Sequence, residues 1–186
     1  MKHVGTQRVD SDRLVLRRFK SGDAESIYNN WANDDEVTAN LSWPTHSKLE
    51  TSEKILDYWL EEYNEGNTYH WGIELKESSR LIGSISVVKI DEKNESCEIG
   101  YCIGRKFWGQ GITSEALRLI VDFLFEQVHP ERIYAYHLSD NPASGEVMKK
   151  SGMKYEGRLR HYRKKPNGVY YDCVFYSILS SEHEHV

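Results

Sequence analysis

The sequence predicts a mixed α/β domain, and three observations carry that prediction. An alternating polar and apolar run opens the pattern at 13–19 (RLVLRRF). Three β-branched and aromatic runs then follow one another across 69–104 with short polar breaks. A glycine-bearing turn at 104–111 leads straight into a strongly amphipathic helix. The length of 186 residues suits one unit, 1–186, able to bury a sizeable core.

The elements follow in order. After the first strand, Ser21-Gly22-Asp23 supplies a turn and an N-cap, and Ala24, Ile27, Tyr28 and Trp31 recur at helical spacing. Residues 33–47 show no period and contain Trp43-Pro44. The helical pattern resumes at 49–63 through Ile55, Leu56, Trp59, Leu60 and Tyr63. YHWGIEL, LIGSISVVKI and SCEIGYCIG, separated by Lys-Glu-Ser-Ser and Asp-Glu-Lys-Asn-Glu, read as an antiparallel meander. Beyond Gly104, Ala116, Leu119, Ile120, Phe123 and Leu124 make one apolar face, so the longest helix is expected there. RIYAYHL is a strand, 143–150 a short helix, and KYEGRLRHYR and VYYDCVFYSIL are two last strands joined at Pro166-Asn167-Gly168. The closing SSEHEHV reads as a solvated tail.

Composition narrows function. Hydrophobic residues at 39% and charged residues at 28%, with 12 Tyr and 5 Trp, exclude a disordered chain. No stretch approaches the roughly 18 apolar residues of a spanning helix, and the first residues carry no apolar targeting core, so no membrane association and a cytoplasmic location are expected. The net charge of −5 argues against a broad basic face for nucleic acid, while leaving room for a local patch and saying nothing of a small anionic cofactor. Cys97 and Cys102 are five residues apart on one strand and so face opposite ways; with Cys173 they read as free thiols. His46, His70, His129, His137 and His161 lack metal-site spacing, and no metal is expected.

The chemistry concentrates in GRKFWGQGITSEA, 104–116. A strand ends, glycines let the backbone turn, and a helix begins, which aims unpaired N–H groups at one point beside the positive end of the helix. Such a nest suits phosphate or pyrophosphate, and Arg105 and Lys106 can add charge; a plain turn before a helix is the alternative. The spacing is neither a P-loop nor the dinucleotide fingerprint.

The WGQGITSEA segment, preceded by EIGYCI and followed by a strand and NPASGEVMKKSGMKYEG, resembles the GNAT superfamily of acetyl-CoA-dependent N-acetyltransferases. The likeness is greatest to the branch of ribosomal-protein N-terminal alanine acetyltransferases. With an opening SDRLVLRRFKSGDAESIY and a closing NGVYYDCVFYSIL, it spans about 11–179. The resemblance implies a mostly antiparallel sheet of about seven strands, splayed between the fourth and fifth, with about four flanking helices. It implies acetyl-CoA as cosubstrate, its pantetheine arm along Tyr101 and Ile103, and its pyrophosphate on the N–H groups of Gly109, Gln110, Gly111, Ile112 and Thr113. Lys106 stands where the family usually has Gln or Arg, and lysine lacks bidentate geometry. Asn141 matches a contact near the cofactor thiol, and Ser144 a donor to the leaving thiolate. Some enzymes of this branch place a glutamate near the link between the last strands, where this chain has Arg163-Lys164-Lys165.

Amine acetylation needs a group that removes an ammonium proton, a donor to an oxyanion and a donor to a thiolate. A backbone N–H near Tyr101 suits the oxyanion and Ser144 the thiolate, while Glu98, on the central strand, is the first choice as base, directly or through water. Each has a plainer alternative: Ser144 a polar residue in a first helical turn, Glu98 a solvent-facing carboxylate. Asp172 reads as a structural acceptor, Tyr136 and His137 as core or edge strand residues more than groups that approach the site, and Trp31, Trp43 and Trp71 as core more than pocket wall. No cysteine is paired with a base, so the amine attacks directly in a ternary complex. The expected acceptor is a protein N-terminal α-amine; a small amine, or a non-catalytic CoA-binding role, are the other readings. The oligomeric state is open, a dimer included.

Overall fold

Alternation along the strands decides the layers. The computed structural model describes residues 1–165 and 168–183. Strands β1 (Val9–Asp10), β2 (Leu14–Arg17), β3 (His70–Leu75), β4 (Arg80–Asp91), β5 (Ser96–Ile103), β6 (Arg132–Leu138), β7 (Lys154–Lys164) and β8 (Tyr170–Leu179) form one sheet. Its order is β1-β2-β3-β4-β5-β6-β8-β7, and the β5–β6 pair is parallel among antiparallel neighbours. Helices α1 (Ala24–Ile27), α2 (Asp35–Thr38), α3 (Leu49–Glu62), α4 (Ile112–Phe123), α5 (Pro142–Lys150) and α6 (Ser180–His183) flank it.

The two faces carry separate cores. On β5, Cys97, Ile99 and Ile103 join Ile112, Leu117 and Ile120 of α4 and Met148 of α5 in one cluster. Phe19, Ile27, Trp31, Leu56 and Leu81 form a second cluster beneath α1 and α3, with Cys102 packed against it. Burying each such side chain is worth roughly 1.5–3 kcal/mol. Cys97 and Cys102 thus lie on opposite faces, as their spacing predicts, and the three cysteines are free.

Seven strands were expected and eight are present: Val9–Asp10 pairs with β2 but is too short to show alternation. The unpatterned stretch 33–47 contains α2, a single turn too short for periodicity, whose N-cap Asp34 accepts from the Glu36 N–H at 3.0 Å. The expected tail begins with α6, in which Glu182 accepts from the Leu179 N–H at 3.0 Å. Positions 166, 167 and 184–186 of the expected turn and tail lie outside the described residues. α1 and α4 each run on into a π-helical turn, Tyr28–Ala32 and Leu124–Val128, which carries the long helix to its expected end. Asp23 does not cap α1. Its carboxylate instead accepts from Arg17 Nη1 at 2.7 Å, while Arg17 Nε reaches Glu74 at 2.6 Å. A charge-assisted bond outcompetes a neutral cap, and here it ties β2, β3 and the start of α1 together.

The strands part where the site would be. β5 and β6 pair only at Ser96↔Arg132, Cys97↔Ile133 and Glu98↔Tyr134, although β5 continues to Ile103 and β6 to Leu138. Beside this point the β4 register shifts between Val87 and Lys89, a bulge that leaves Val88 56% exposed.

Candidate active site

The loop from Gly104 to α4 is built by its glycines. Gly109 and Gly111 have φ of 74° and 75°, the left-handed region that costs a side-chain-bearing residue roughly 1–2 kcal/mol. A Cβ at Gly109 would meet nothing within 4 Å and one at Gly111 only Arg13 Nη2 at 3.9 Å, so conformation rather than crowding requires glycine in this structure. The helix starts with the Glu115 N–H on the Gly111 carbonyl at 3.1 Å. The N–H groups of Ile112, Thr113 and Ser114 precede that bond, and no side chain caps them. A left-handed turn ending in an uncapped helix start is a cradle shaped for an anion, and its residues fit a pyrophosphate.

The charges around this cradle differ from expectation. Arg105 is turned away: its Nε lies 2.9 Å from Asp34 Oδ2 and its Nη1 bonds Glu36, tying the loop to α2. Lys106 is exposed with no carboxylate partner among the described residues, and its carbonyl accepts from the Gln110 amide at 3.0 Å. Arg13, nearly a hundred residues upstream, takes the place expected of Arg105. It donates to the Gln110 carbonyl at 3.4 Å and through Nε to Glu115 at 2.8 Å. Ser11 Oγ donates to the same carboxylate at 2.6 Å. Partial burial works to raise the Glu115 pKa, but the bonds from Ser11 and Arg13 outweigh it and hold the group below the ordinary carboxylate range. Nothing in the sequence flagged Arg13, because only the β2 register brings it to the loop.

Across the gap, Tyr101 on β5 reaches the first turn of α5. Its hydroxyl donates to the Ser144 carbonyl at 3.0 Å and lies 2.8 Å from Ser144 Oγ. Burial drives the Tyr101 pKa upward, against the smaller opposing effect of Ser144, so the phenol holds its proton. Asn141 is the N-cap of α5 but makes no side-chain cap bond, and Pro142 follows at the first helical position. His137, mostly buried, donates from Nδ1 to the Leu138 carbonyl at 2.7 Å. A Cβ on Gly145 would stand 2.6 Å from His137 Nε2, so the glycine lets α5 close onto β6 at the residue after Ser144.

Glu98 faces the other side of the sheet. It alternates with Ile99 and stands opposite Tyr134 at the last paired rung. Burial raises the Tyr134 pKa first, and the charge and hydrogen bond of Glu98 raise it further. Tyr136, two residues on, accepts from Arg163 Nη1 at 2.7 Å and packs against Tyr162 and Phe175 at 5.3 and 5.0 Å between ring centroids. The structure therefore groups Tyr101, Asn141 and Ser144 on the α5 side and Glu98 with Tyr134 on the α1–α3 side, on either side of the place where the sheet opens. Asp172 is set apart: it accepts from Arg158 Nε at 2.8 Å and from the His161 N–H at 2.9 Å, bracing the hairpin as a structural acceptor. Trp31 and Trp71 are fully buried, and Trp71 donates to the Gln7 carbonyl at 2.6 Å.

Comparisons with known proteins agree with this geometry. The family described as "Acetyltransferase (GNAT) domain" matches residues 13–154. The "Uncharacterized N-acetyltransferase YoaA" of Bacillus subtilis is 34% identical over 171 residues, 92% of this chain and 96% of its own. The "[Ribosomal protein uS5]-alanine N-acetyltransferase" of Escherichia coli is 25% identical, covering 86% of this chain and 84% of its own. In fold, the microcin C7 self-immunity acetyltransferase MccE, solved with acetyl-CoA and AMP, superposes with a TM-score of 0.81 at 23% identity over 91% of this chain and 93% of that one. With its sheet, its parting strands and its matches all in accord, the chain belongs to the GNAT acetyltransferase family and is an N-acetyltransferase of that type.

Proposed function

We propose that this enzyme moves the acetyl group of acetyl-CoA to the α-amine of a protein N-terminus by direct attack within a ternary complex. The observation that carries the reading is the disposition of groups about the parted strands: Tyr101 with Ser144 on one side, Glu98 with Tyr134 on the other. An amine entering beside Glu98 gives up its proton there, while the thiolate leaves toward Ser144, so acid and base never compete for one proton. Ser144 supplies the proton to sulfur, Asn141 lines the same end, and the edge of β5 near Tyr101, unpaired with β6, offers a backbone donor to the carbonyl oxygen. Gly109 to Thr113 hold the pyrophosphate, Tyr101 and Ile103 border the pantetheine arm, and Lys106 and Gln110 flank the phosphates.

A covalent acetyl-enzyme has no support from the thiols. Burial pushes Cys97 and Cys173 up to about 11 and raises Cys102 as well, which keeps all three protonated near neutrality. The α-amine is favoured over a lysine because freeing an amine of reference pKa near 8 rather than 10.4 costs roughly 3 kcal/mol less at neutral pH. A half-exposed carboxylate is a weak base, and such a base suits the easier amine. The Escherichia coli relative, a ribosomal-protein alanine N-acetyltransferase, is of this kind.

A thiol-release assay over N-terminal peptides, lysine peptides, polyamines and amino acids tests it. Turnover highest on free peptide N-termini is expected. Turnover confined to small amines would replace the acceptor, and acetyl-CoA binding without turnover on any acceptor would replace catalysis with a binding role.

A further inference from the structure

The net charge is −5, yet the β7–β8 hairpin is cationic. Across 154–173 it carries Lys154, Arg158, Arg160, Arg163, Lys164 and Lys165 against only Glu156 and Asp172. The few acids are already used: Asp172 by Arg158, and Glu156 by Arg132 of β6. Arg160 and Arg163 have no carboxylate partner among the described residues. Lys165 Nζ lies 4.2 Å over the Tyr171 ring, with no carboxylate partner among the described residues. Between Leu159 and Arg163 the register slips, so three residues of β7, 160–162, stand against the single residue 172 of β8, and His161 takes a φ of 51°. The bulge folds Tyr162 over Tyr136 and opens a groove of about 850 Å³ lined by Arg158, Arg160 and Tyr162.

This cationic wall stands beside the base. Arg163 donates to Tyr136, which lies two residues along β6 from Tyr134, the partner of Glu98. Tyr136, raised chiefly by burial, feels Arg163 and Glu98 with opposite sign, so both charges reach it. Two strand residues span about 7 Å. An extended peptide advances roughly 3.3–3.6 Å per residue, so a chain whose first amine sits at Glu98 brings its second or third side chain to Arg163.

Resting on the α-amine reading above, we propose that Arg163, with Arg160 and Lys165, selects acceptor N-termini bearing an acidic residue at the second or third position. The positive hairpin attracts the acceptor's carboxylate, and the aromatic floor of Tyr136, Tyr162 and Phe175 packs its stem. A basic residue at those positions meets unneutralised cations and is disfavoured.

The test measures kcat/KM on paired peptides beginning Ala-Glu-Glu and Ala-Lys-Lys and otherwise identical. The wild type should favour the acidic peptide by about fivefold or more, the preference falling toward one as salt rises. Arg163→Glu should reverse the order, Arg163→Gln abolish most of it, and Arg160→Glu reduce it. Circular dichroism checks that each variant folds, and the salt series on the wild type alone decides the matter if none does. Equal rates for the two peptides at low salt overturn the selection while leaving N-terminal acetylation standing. Failure to turn over any peptide overturns both. A change in oligomeric mass with an unchanged peptide ranking would reassign the hairpin to contacts between copies.

Discussion

The loop that opens α4 follows β5 at one side of the opening in the sheet, and the β7–β8 hairpin lies beyond β6 on the other, but they are made by different means. The loop works through backbone: two glycines at φ near 75° and three N–H groups ahead of the first helical bond, with side chains secondary. The hairpin works through side chains displayed on a bulged edge strand, where Arg163, Tyr162 and Tyr136 interlock. A backbone device leaves a sharp imprint on sequence, because only glycine adopts those dihedrals at no cost. A side-chain device on an exposed strand leaves almost none, since lysine, arginine and tyrosine are ordinary there. On the functions proposed above, the first region would hold the donor that the family shares, and the second would be free to vary with the acceptor.

Breaking the loop should have the largest effect. Gly111→Val forces a β-branched residue into the left-handed region and sets its methyls at the cradle proposed to hold the pyrophosphate. Calorimetry should find acetyl-CoA binding lost, at least a hundredfold weaker, in a protein that still folds. Gly66→Ala is the control, since Gly66 has open space around its missing Cβ and no positive φ, and it should bind normally. Unchanged affinity in Gly111→Val would mean that the cradle is not where the phosphates sit.

The same contrast explains what was legible in the sequence. The order of the longer strands and helices follows from period, while β1, α2 and α6 are too short to show one, and the glycine loop follows from residue type. The parting of β5 and β6, and the roles proposed for Ser144 and Asn141, come only through family resemblance, because nothing in the period of EIGYCIG says where its pairing ends. The contact of Arg13 with the loop is not legible because it depends on the β2 register, and the ion pairs of Arg105 are not legible because Asp34 and Glu36 sit at a helix of one turn without periodicity. Tyr101 was noted for its backbone, but its hydroxyl turned out to hold Ser144, a contact spanning 43 positions.

That contact permits a second, somewhat smaller perturbation. The Ser144 carbonyl can only accept, so a Tyr101 proton directed at it leaves the Ser144 hydroxyl as the donor in the 2.8 Å contact between the two hydroxyls, a proton held in place for transfer. Ser144→Ala should lower kcat by roughly 10²–10⁴-fold with acetyl-CoA affinity little changed, as for a group that acts in the transition state. Tyr101→Phe should cost less, removing orientation but not the proton. If the two effects are reversed in size, the phenol rather than the serine protonates the thiolate.

The mildest perturbation falls on the acceptor side and depends on pH. Glu98→Gln keeps the shape beside Tyr134 and removes the basicity, so the rate should fall most at low pH, where few amines are already neutral. Well above the amine's pKa, near 8 for an N-terminus, solvent has done the deprotonation and the defect should shrink toward nothing. The Tyr134 phenol supplies an internal check. Burial and Glu98 both raise its pKa, so in the variant its titration, followed by ultraviolet absorbance, should move back toward the ordinary tyrosine value. If that titration moves while the pH–rate profile of Glu98→Gln stays parallel to that of the wild type, the carboxylate is coupled to Tyr134 yet takes no proton from the amine. The enzyme would then rely on the small neutral fraction of an α-amine, and the acceptor side would contribute selection by the hairpin alone. A defect confined to low pH would instead give that side a chemical role, and with it the capacity to acetylate amines of higher pKa.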